Sequence, residues 1–363
     1  EQQRINTTVF DPRGNALNQS IEKTYYDTDG VTSIGSDTQI IVNGAYGIHD
    51  RTRHSEIENY EGIGDTKTFS DKQVIDYLVY DRYGNAESQT ISTFDNKDLI
   101  ATGLISRKDI TNDYGATGDT IQVQLADGSI VTRSAIFARK RGTALSTESI
   151  EKNKEGVLIQ RSVTTTSLFD VRGNAVDQST DKFVADESGA EKLATRTAIH
   201  NIGINARGDA SSQEITTETT DDTGLEATLL VSGFQVMTNR QFDGRHNVMN
   251  QMSYSYEEKN GELLEVSEIR SSGYTSSGVA RVQDIVTYID ILKTQLLEAK
   301  HIVNSNISSN GNTGTSEIDI YSNATIPVEG GAVSFEGLLE QQTINNTVFD
   351  PRGNALNQSI EKT

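Results

Sequence analysis

"VFDPRGNALNQSIEKT" occupies residues 9–24 and returns, letter for letter, at residues 348–363. Its opening, Phe10-Asp11-Pro12-Arg13-Gly14-Asn15, reads as a turn. Asp suits position i of a type I turn, Pro presets φ at i+1, and Gly takes the left-handed site that follows. Together they describe the three-residue hairpin loop with a glycine bulge. Two of the chain's three prolines, Pro12 and Pro351, hold this position; the third is Pro327.

The turn recurs in altered form along the chain. Tyr80-Asp81-Arg82-Tyr83-Gly84-Asn85-Ala86 is one copy and Phe169-Asp170-Val171-Arg172-Gly173-Asn174-Ala175 another. Ile204-Asn205-Ala206-Arg207-Gly208-Asp209-Ala210 exchanges Asn and Asp. Phe242-Asp243-Gly244-Arg245-His246-Asn247-Val248 has His where Gly is expected. Phe349-Asp350-Pro351-Arg352-Gly353-Asn354-Ala355 closes the set, and a degraded copy with one extra residue is read at Phe137 to Ala144. Five residues after each turn Gly, or after His246, stands a Gln: Gln19, Gln89, Gln178, Gln213, Gln251 and Gln358. The first turn positions are 11, 81, 170, 205, 243 and 350, so the shortest gaps are 35 and 38 residues. The longer gaps, 70, 89 and 107, fall near two, two and a half and three such units. A period near 35 predicts an array in which each unit buries its apolar face only against its neighbours.

Each unit reads as strand, tight turn, strand. Segments such as "INTTVF", "SQTISTF", "SVTTTSLF" and "QEITTETT" are rich in β-branched residues and bounded by Gly, Asp and Asn. Second turns follow at "DTDG" ending at Gly30, "DESG" at Gly189, "DDTG" at Gly224 and "EKNG" at Gly261. The expected fold is mainly β: an elongated array of stacked β-hairpin repeats over residues 1–278. Between 279 and 303 the pattern changes. Val279, Val282, Ile285, Ile289, Leu292, Leu296, Ala299 and Val303 are spaced by three and four residues and predict an amphipathic helix. A polar linker and a β segment are expected over 304–339.

The composition suits thin, layered β structure in which each strand has a wet face: 34% of residues are hydrophobic and 6% aromatic. Thirty-two basic residues against 52 acidic ones leave a net charge of -20, which argues against nucleic acid and against anionic lipid as partners. Such a charge keeps particles soluble and apart. The absence of Cys removes disulfides, thiolate catalysis and Cys-based metal sites. No apolar run reaches the roughly 18 residues of a membrane span. The chain opens at Glu1 without Met, which reads as a processed product or a segment of something longer.

The two ends agree beyond the turn. "EQQRINTTVFDPRGNALNQSIEKT" at 1–24 and "EQQTINNTVFDPRGNALNQSIEKT" at 340–363 match at 22 of 24 positions, offset by 339 residues. One reading is a long-period block of about 339 residues, with 340–363 the start of the next. The other is a copy that acts in trans, adding a strand to the edge of a second subunit. Both predict end-to-end assembly.

The units resemble YD repeats, the Y-D-x-x-G-[NR] hairpins of bacterial Rhs and wall-associated proteins and of animal teneurins. Tyr80-Asp81-Arg82-Tyr83-Gly84-Asn85 carries the resemblance most closely, and Phe10 to Asn15 has Phe for Tyr. The resemblance implies hairpins that spiral into a long sheet, a secreted or surface-exposed protein and, in some members, a closed shell. The spacing here is longer and less regular, which bears against the closed shell.

Few residues suggest chemistry. The Gln series would form a ladder of amides along the stack or satisfy the backbone of a neighbouring turn. Arg13, Arg172, Arg207, Arg245 and Arg352 sit at the turn tip and would form a stripe facing acidic surface. Asp27-Thr28-Asp29-Gly30 resembles part of a calcium loop, but the alignment puts Tyr25 and Ser36 at ligand positions, so no cofactor is expected beyond weak calcium sites between acidic turns. His49, His54, His200, His246 and His301 show no zinc-protease spacing, and no nucleophile elbow, phosphate loop or dinucleotide fingerprint is present. Asn6, Asn18, Asn306, Asn323, Asn345 and Asn357 begin glycosylation sequons. The expectation is a non-enzymatic structural protein that assembles with itself into an extracellular fibre or cell-surface filament. An adhesin stalk or YD-type shell is the alternative, and a polysaccharide-active enzyme on a β-solenoid the third reading.

Overall fold

The structure, a computed structural model, describes residues 2–26, 31, 33–99, 103–186, 189–308, 311–327, 332–349 and 355–363. The chain folds as one antiparallel meander. β1 (Gln2–Phe10), β2 (Ala16–Tyr26), β3 (Ser33–Tyr46), β4 (Thr52–Glu61), β5 (Thr68–Tyr80), β6 (Ala86–Phe94) and β7 (Leu104–Asp113) each pair with the next. An insertion then carries β8 (Thr120–Gln124), β9 (Ile130–Ser134) and the single α-helix among the described residues, α1 (Ile136–Arg141). The meander resumes with β10 (Ser146–Asn153), which pairs directly with β7. It continues through β11 (Leu158–Asp170), β12 (Ala175–Ala185), β13 (Glu191–Ile204), β14 (Ala210–Thr219), β15 (Leu230–Phe242) and β16 (Val248–Tyr256). β17 (Leu263–Ser272), β18 (Val282–Tyr288), β19 (Leu296–Ile307), β20 (Thr313–Thr325), β21 (Ser334–Phe349) and β22 (Ala355–Lys362) complete it. The hairpins therefore join edge to edge in one sheet. Among the described residues β1 pairs only with β2 and β22 only with β21, so the sheet is open.

A single sheet has two faces and little interior. The accessible surface is 19515 Å², against about 14,000 Å² for a compact monomer of this mass. Among the described residues, the one cluster of buried apolar side chains lies where the insertion folds back. Ile121, Val123, Ala135 and Ala138 enclose Phe169, while β8 runs parallel to the end of β11. Phe169 is 1% exposed and the equivalent Phe10 56%, so the same turn residue is core or surface according to its neighbour.

Three expectations are corrected. Residues 279–303 are not a helix but β18, a turn and most of β19. The apolar spacing of three and four belongs to residues on opposite faces of the sheet, and Ile289 and Leu292, which completed the stripe, are exposed at 51% and 80%. β-branched residues in β18 and the ladder to β17 and β19 outweigh local periodicity. The stretch after Asn304 is no linker: β19 continues to Ile307, a turn follows, and β20 and β21 extend the sheet without a boundary at 278 or 340. Phe137 to Ala144 is not a hairpin turn but α1 and its cap, closed by left-handed Gly142 (φ 70°).

The turns fall on two rims. One rim carries those beginning at Asp11, Asp81, Asp170, Asn205 and Asp243; the other carries those between β2 and β3, β4 and β5, and so on. Along the second rim, strand registers slip at Tyr26, Tyr60, Phe94, Phe183, Tyr256, Tyr288 and Tyr321, an aromatic row. Bulges on the first rim precede the Asp turns, as at Thr7/Val9, Tyr77/Val79 and Thr166/Leu168. Bulges increase twist, and the sheet coils until the first rim of later hairpins meets the second rim of early ones. Arg245 stacks on the Tyr25 ring at 4.5 Å and donates to Asp37 at 2.9 Å. The Ser276 amide donates to Glu61 at 3.0 Å, and Arg281 pairs with Glu61 at 3.6 Å. Burial raises the Asp37 pKa and Arg245 opposes that rise. A double-mutant cycle of Arg245→Ala and Asp37→Ala, read by denaturant unfolding, is expected to give a coupling of roughly 1–3 kcal/mol.

Candidate functional site: a row of clamped turns

The candidate site is the first rim. In each Asp turn the carboxylate organises the backbone. Asp11 Oδ1 accepts the amides of Arg13 and Asn15, both at 2.8 Å, and Oδ2 accepts the Asn15 side-chain amide at 2.9 Å. Asp81, Asp170 and Asp243 repeat the arrangement within 0.1 Å or so. Asn205 accepts the same two backbone amides with its amide oxygen, and the side-chain bond is reversed: the Asn205 amide donates to Asp209 Oδ2 at 3.3 Å. Gly14, Gly84, Gly173 and Gly208 sit at φ between 90° and 100°, where a Cβ is disfavoured. His246 adopts φ 68° and bonds Asp209 of the preceding turn at 2.5 Å.

Three further turns of this row, besides those at Leu125, Asn153 and Asp186 elsewhere in the sheet, share the same backbone closure, first amide to fifth carbonyl. They begin at Gly47, Thr275 and Ser308. Successive first positions are then 36, 34, 35, 38, 32 and 33 residues apart wherever the insertion does not intervene. Sequence reading passed over these three because no Asp opens them. In two of them a hydroxyl replaces the carboxylate: Thr275 Oγ1 accepts the Val279 amide and Ser308 Oγ the Asn312 amide; the turn at Gly47 closes through its backbone. The usable signal was the Gly three residues on, Gly278 and Gly311.

The turns hold one another. Arg13 donates to the Gly47 and Tyr46 carbonyls at 2.9 and 3.3 Å, and Asn15 to Asp50 at 2.9 Å. Arg51 donates to the carbonyls of Asp81 and Arg82. Asn85 donates to the Arg139 carbonyl at 2.8 Å, so α1 fills the place of a turn in the row. Arg207 donates to the Asp243 carbonyl at 2.8 Å and Arg245 to the Tyr274 carbonyl at 3.2 Å. Arg13, Arg207 and Arg245 thus meet backbone carbonyls of the next turn; Arg13 also pairs with Asp50 of that turn at 3.2 Å, and Arg245 with Asp37 at 2.9 Å. Arg172 stays beside its own Asp170 at 3.9 Å, and Arg352, Asp350 and Gly353 lie outside the described residues. A second link lies just inside the rim. Asn43, Asn112, Asn201 and Asn304 donate at 3.0–3.1 Å to the carbonyls of Ala16, Ala86, Ala175 and Ala280, the residues leaving the preceding turn.

Four members of the Gln series bond within their own hairpins. Gln19 reaches Thr7, Gln178 Thr166, Gln213 Asn201 and Gln358 Asn346, at 2.6–3.4 Å, and no Gln-to-Gln bond occurs in the series among the described residues. Gln89 stands opposite Tyr77 and Gln251 opposite Ile269. Asp27 to Gly30 lies outside the described residues; among the described residues no group of three or more His, Asp and Glu gathers as a metal site. No described helix is long and apolar enough to cross a membrane. No family model matches the sequence, and no curated protein matches it.

Two predictions follow from the clamps. Arg207→Ala should cost roughly 0.5–1 kcal/mol in urea unfolding, and Arg172→Ala less than about 0.5, because only the first loses a bond to the next turn. Burial works against the Asp81 carboxylate, but the Asn85, Tyr83 and Gly84 donors hold its pKa below the usual value. A lowered folded pKa means stability present above the unfolded value, about pH 4, and lost as pH falls through the folded one. The urea midpoint should therefore drop between pH 6 and pH 3, and Asn85→Ala should make that drop smaller.

Proposed function

We propose that the chain is a structural repeat protein whose sheet grows by adding hairpins at its edges, building an extracellular fibre or cell-surface filament from copies of itself. The observation that carries this reading is the clamped rim. Most turns are ordered by an Asp, Asn or hydroxyl at their first position and then bonded to the next, so the described row is a continuous structural element in which no reactive groups converge. The charge of -20 would keep neighbouring filaments apart and disfavours nucleic acid as partner. The resemblance to YD repeats supports the extracellular setting.

A second reading, a YD-type coil that surrounds or presents another domain, is favoured by the contact of Arg245 with Tyr25 and Asp37, which stacks one coil on another. Negative-stain electron microscopy of chains holding one and three 339-residue blocks separates the two. Particle length proportional to block number, or fibres from single blocks, is the expected result. Compact hollow particles from both would overturn the filament and leave the coil that encloses.

A further inference from the structure

The strand that the last hairpin leaves open is a copy of a strand whose partner is already visible. β2 pairs on one side with β1 and on the other with β3, with Asn18 opposite Val42, Ser20 opposite Ile40 and Lys23 opposite Asp37. Among the described residues its copy, β22, pairs only with β21, and it is exposed along its whole length. The two hairpins share one internal register: Ile5 faces Ile21 as Ile344 faces Ile360, and Phe10 faces Ala16 as Phe349 faces Ala355. Residues 355–363 repeat 16–24 without a change, so everything β2 offers to β3 is present again on β22.

The two differences between the copies, Arg4 against Thr343 and Thr7 against Asn346, both fall on the other strand. There they follow the neighbour. β21 lies against β20, with Thr343 opposite Glu317, and Asn346 donates to the Thr313 carbonyl at 3.1 Å. That bond is the one Asn43, Asn201 and Asn304 make to the preceding hairpin. Thr7 has no amide to make it and instead accepts from Gln19. Residues 1–24 thus fit β3 and lack this amide, whereas residues 340–363 carry both the amide that meets β20 and a copy of the strand that meets β3.

We propose that residues 340–363 of one chain seat on β3 of a second copy, in the place and register that residues 1–24 of that copy hold, and release them. Ser359 would lie opposite Ile40, Asn357 opposite Val42 and Lys362 opposite the oppositely charged Asp37. The joint rests on the reading of the protein as self-assembling and supplies its geometry: β20, β21, β22 and the second copy's β3 become consecutive strands. Exchange of matching elements is a low-cost route to association. The seat on β3 is equally well filled before and after, so protein concentration sets the extent.

The chain has no Cys, which makes engineered pairs clean reporters. Registered antiparallel residues have Cα atoms about 4.5–5.5 Å apart, within the usual disulfide range of about 4.4–6.8 Å. Full-length Ile40→Cys and Ser359→Cys chains are mixed under mild oxidation, and the cross-linked peptides are mapped by mass spectrometry. An inter-chain disulfide between the two positions, rising with concentration and about ten-fold above an Ile41→Cys control shifted by one residue, is expected. The Ser20→Cys, Ile40→Cys double variant should close within one chain and reports that the seat has folded. Val42→Cys with Asn357→Cys serves if Ile40→Cys does not fold. A link from Ser359→Cys to Ile5→Cys on the second copy's β1, or no inter-chain link while the control closes, overturns the joint. Fibres without the link would leave the filament reading standing and sink only the joint. The link in compact particles would do the reverse.

Discussion

An acceptor group at the first position of a five-residue turn is the constraint on which the rest of this structure depends. A sheet one layer thick has little apolar interior to fix strand register, so register must be set where the chain reverses. The Asp turn does this by local chemistry. Its carboxylate takes two backbone amides and one side-chain amide, and the glycine that follows supplies the left-handed residue. Once the loop is closed, the strands on both sides are paired, and the bulge before the turn aims the aromatic residue. Thr275 and Ser308 show that a hydroxyl suffices where neighbouring turns already hold the position.

Turns ordered singly would still give a sheet free to bend at every hairpin. The arginines and asparagines remove that freedom by bonding each turn to the next. Their acceptors are mostly backbone carbonyls, which every residue provides. The row therefore tolerates large changes in turn sequence while its geometry stays the same. The insertion illustrates the tolerance. α1 replaces a turn with a helix and its own small core, yet Asn85 finds a carbonyl, that of Arg139, where Asn15 finds the Asp50 side chain.

Much of this was legible in the sequence, and the divide between what was and was not is physical. Glycine at positive φ and Asp at a turn start are requirements of the backbone, so the period near 35 could be read from them. The Gln five residues later was visible as a spacing, but its partners at Thr7, Thr166, Asn201 and Asn346 depend on which residues face each other across a bulge. The stripe at 279–303 misled because, in a sheet with both faces half wet, apolar residues need not keep to one face. The coil contacts were invisible, since Arg245, though marked as a turn tip, lies 208 residues from Asp37, which does not stand out locally.

That separation sets how a longer array would be held. The contacts between coils join residues just over two hundred apart, whereas the hairpin at 1–24 returns after 339. The second length is not a multiple of the first. If the sheet continues through the shared hairpin, Arg245 would meet a Tyr25 and an Asp37 once per block, not at every coil. Each other position along the coil would meet a different part of the block. The rim clamps, by contrast, recur with nearly every hairpin. Edge-to-edge bonding within the ribbon therefore carries the continuity of the array, and the coil-to-coil contacts act as fasteners placed at block intervals.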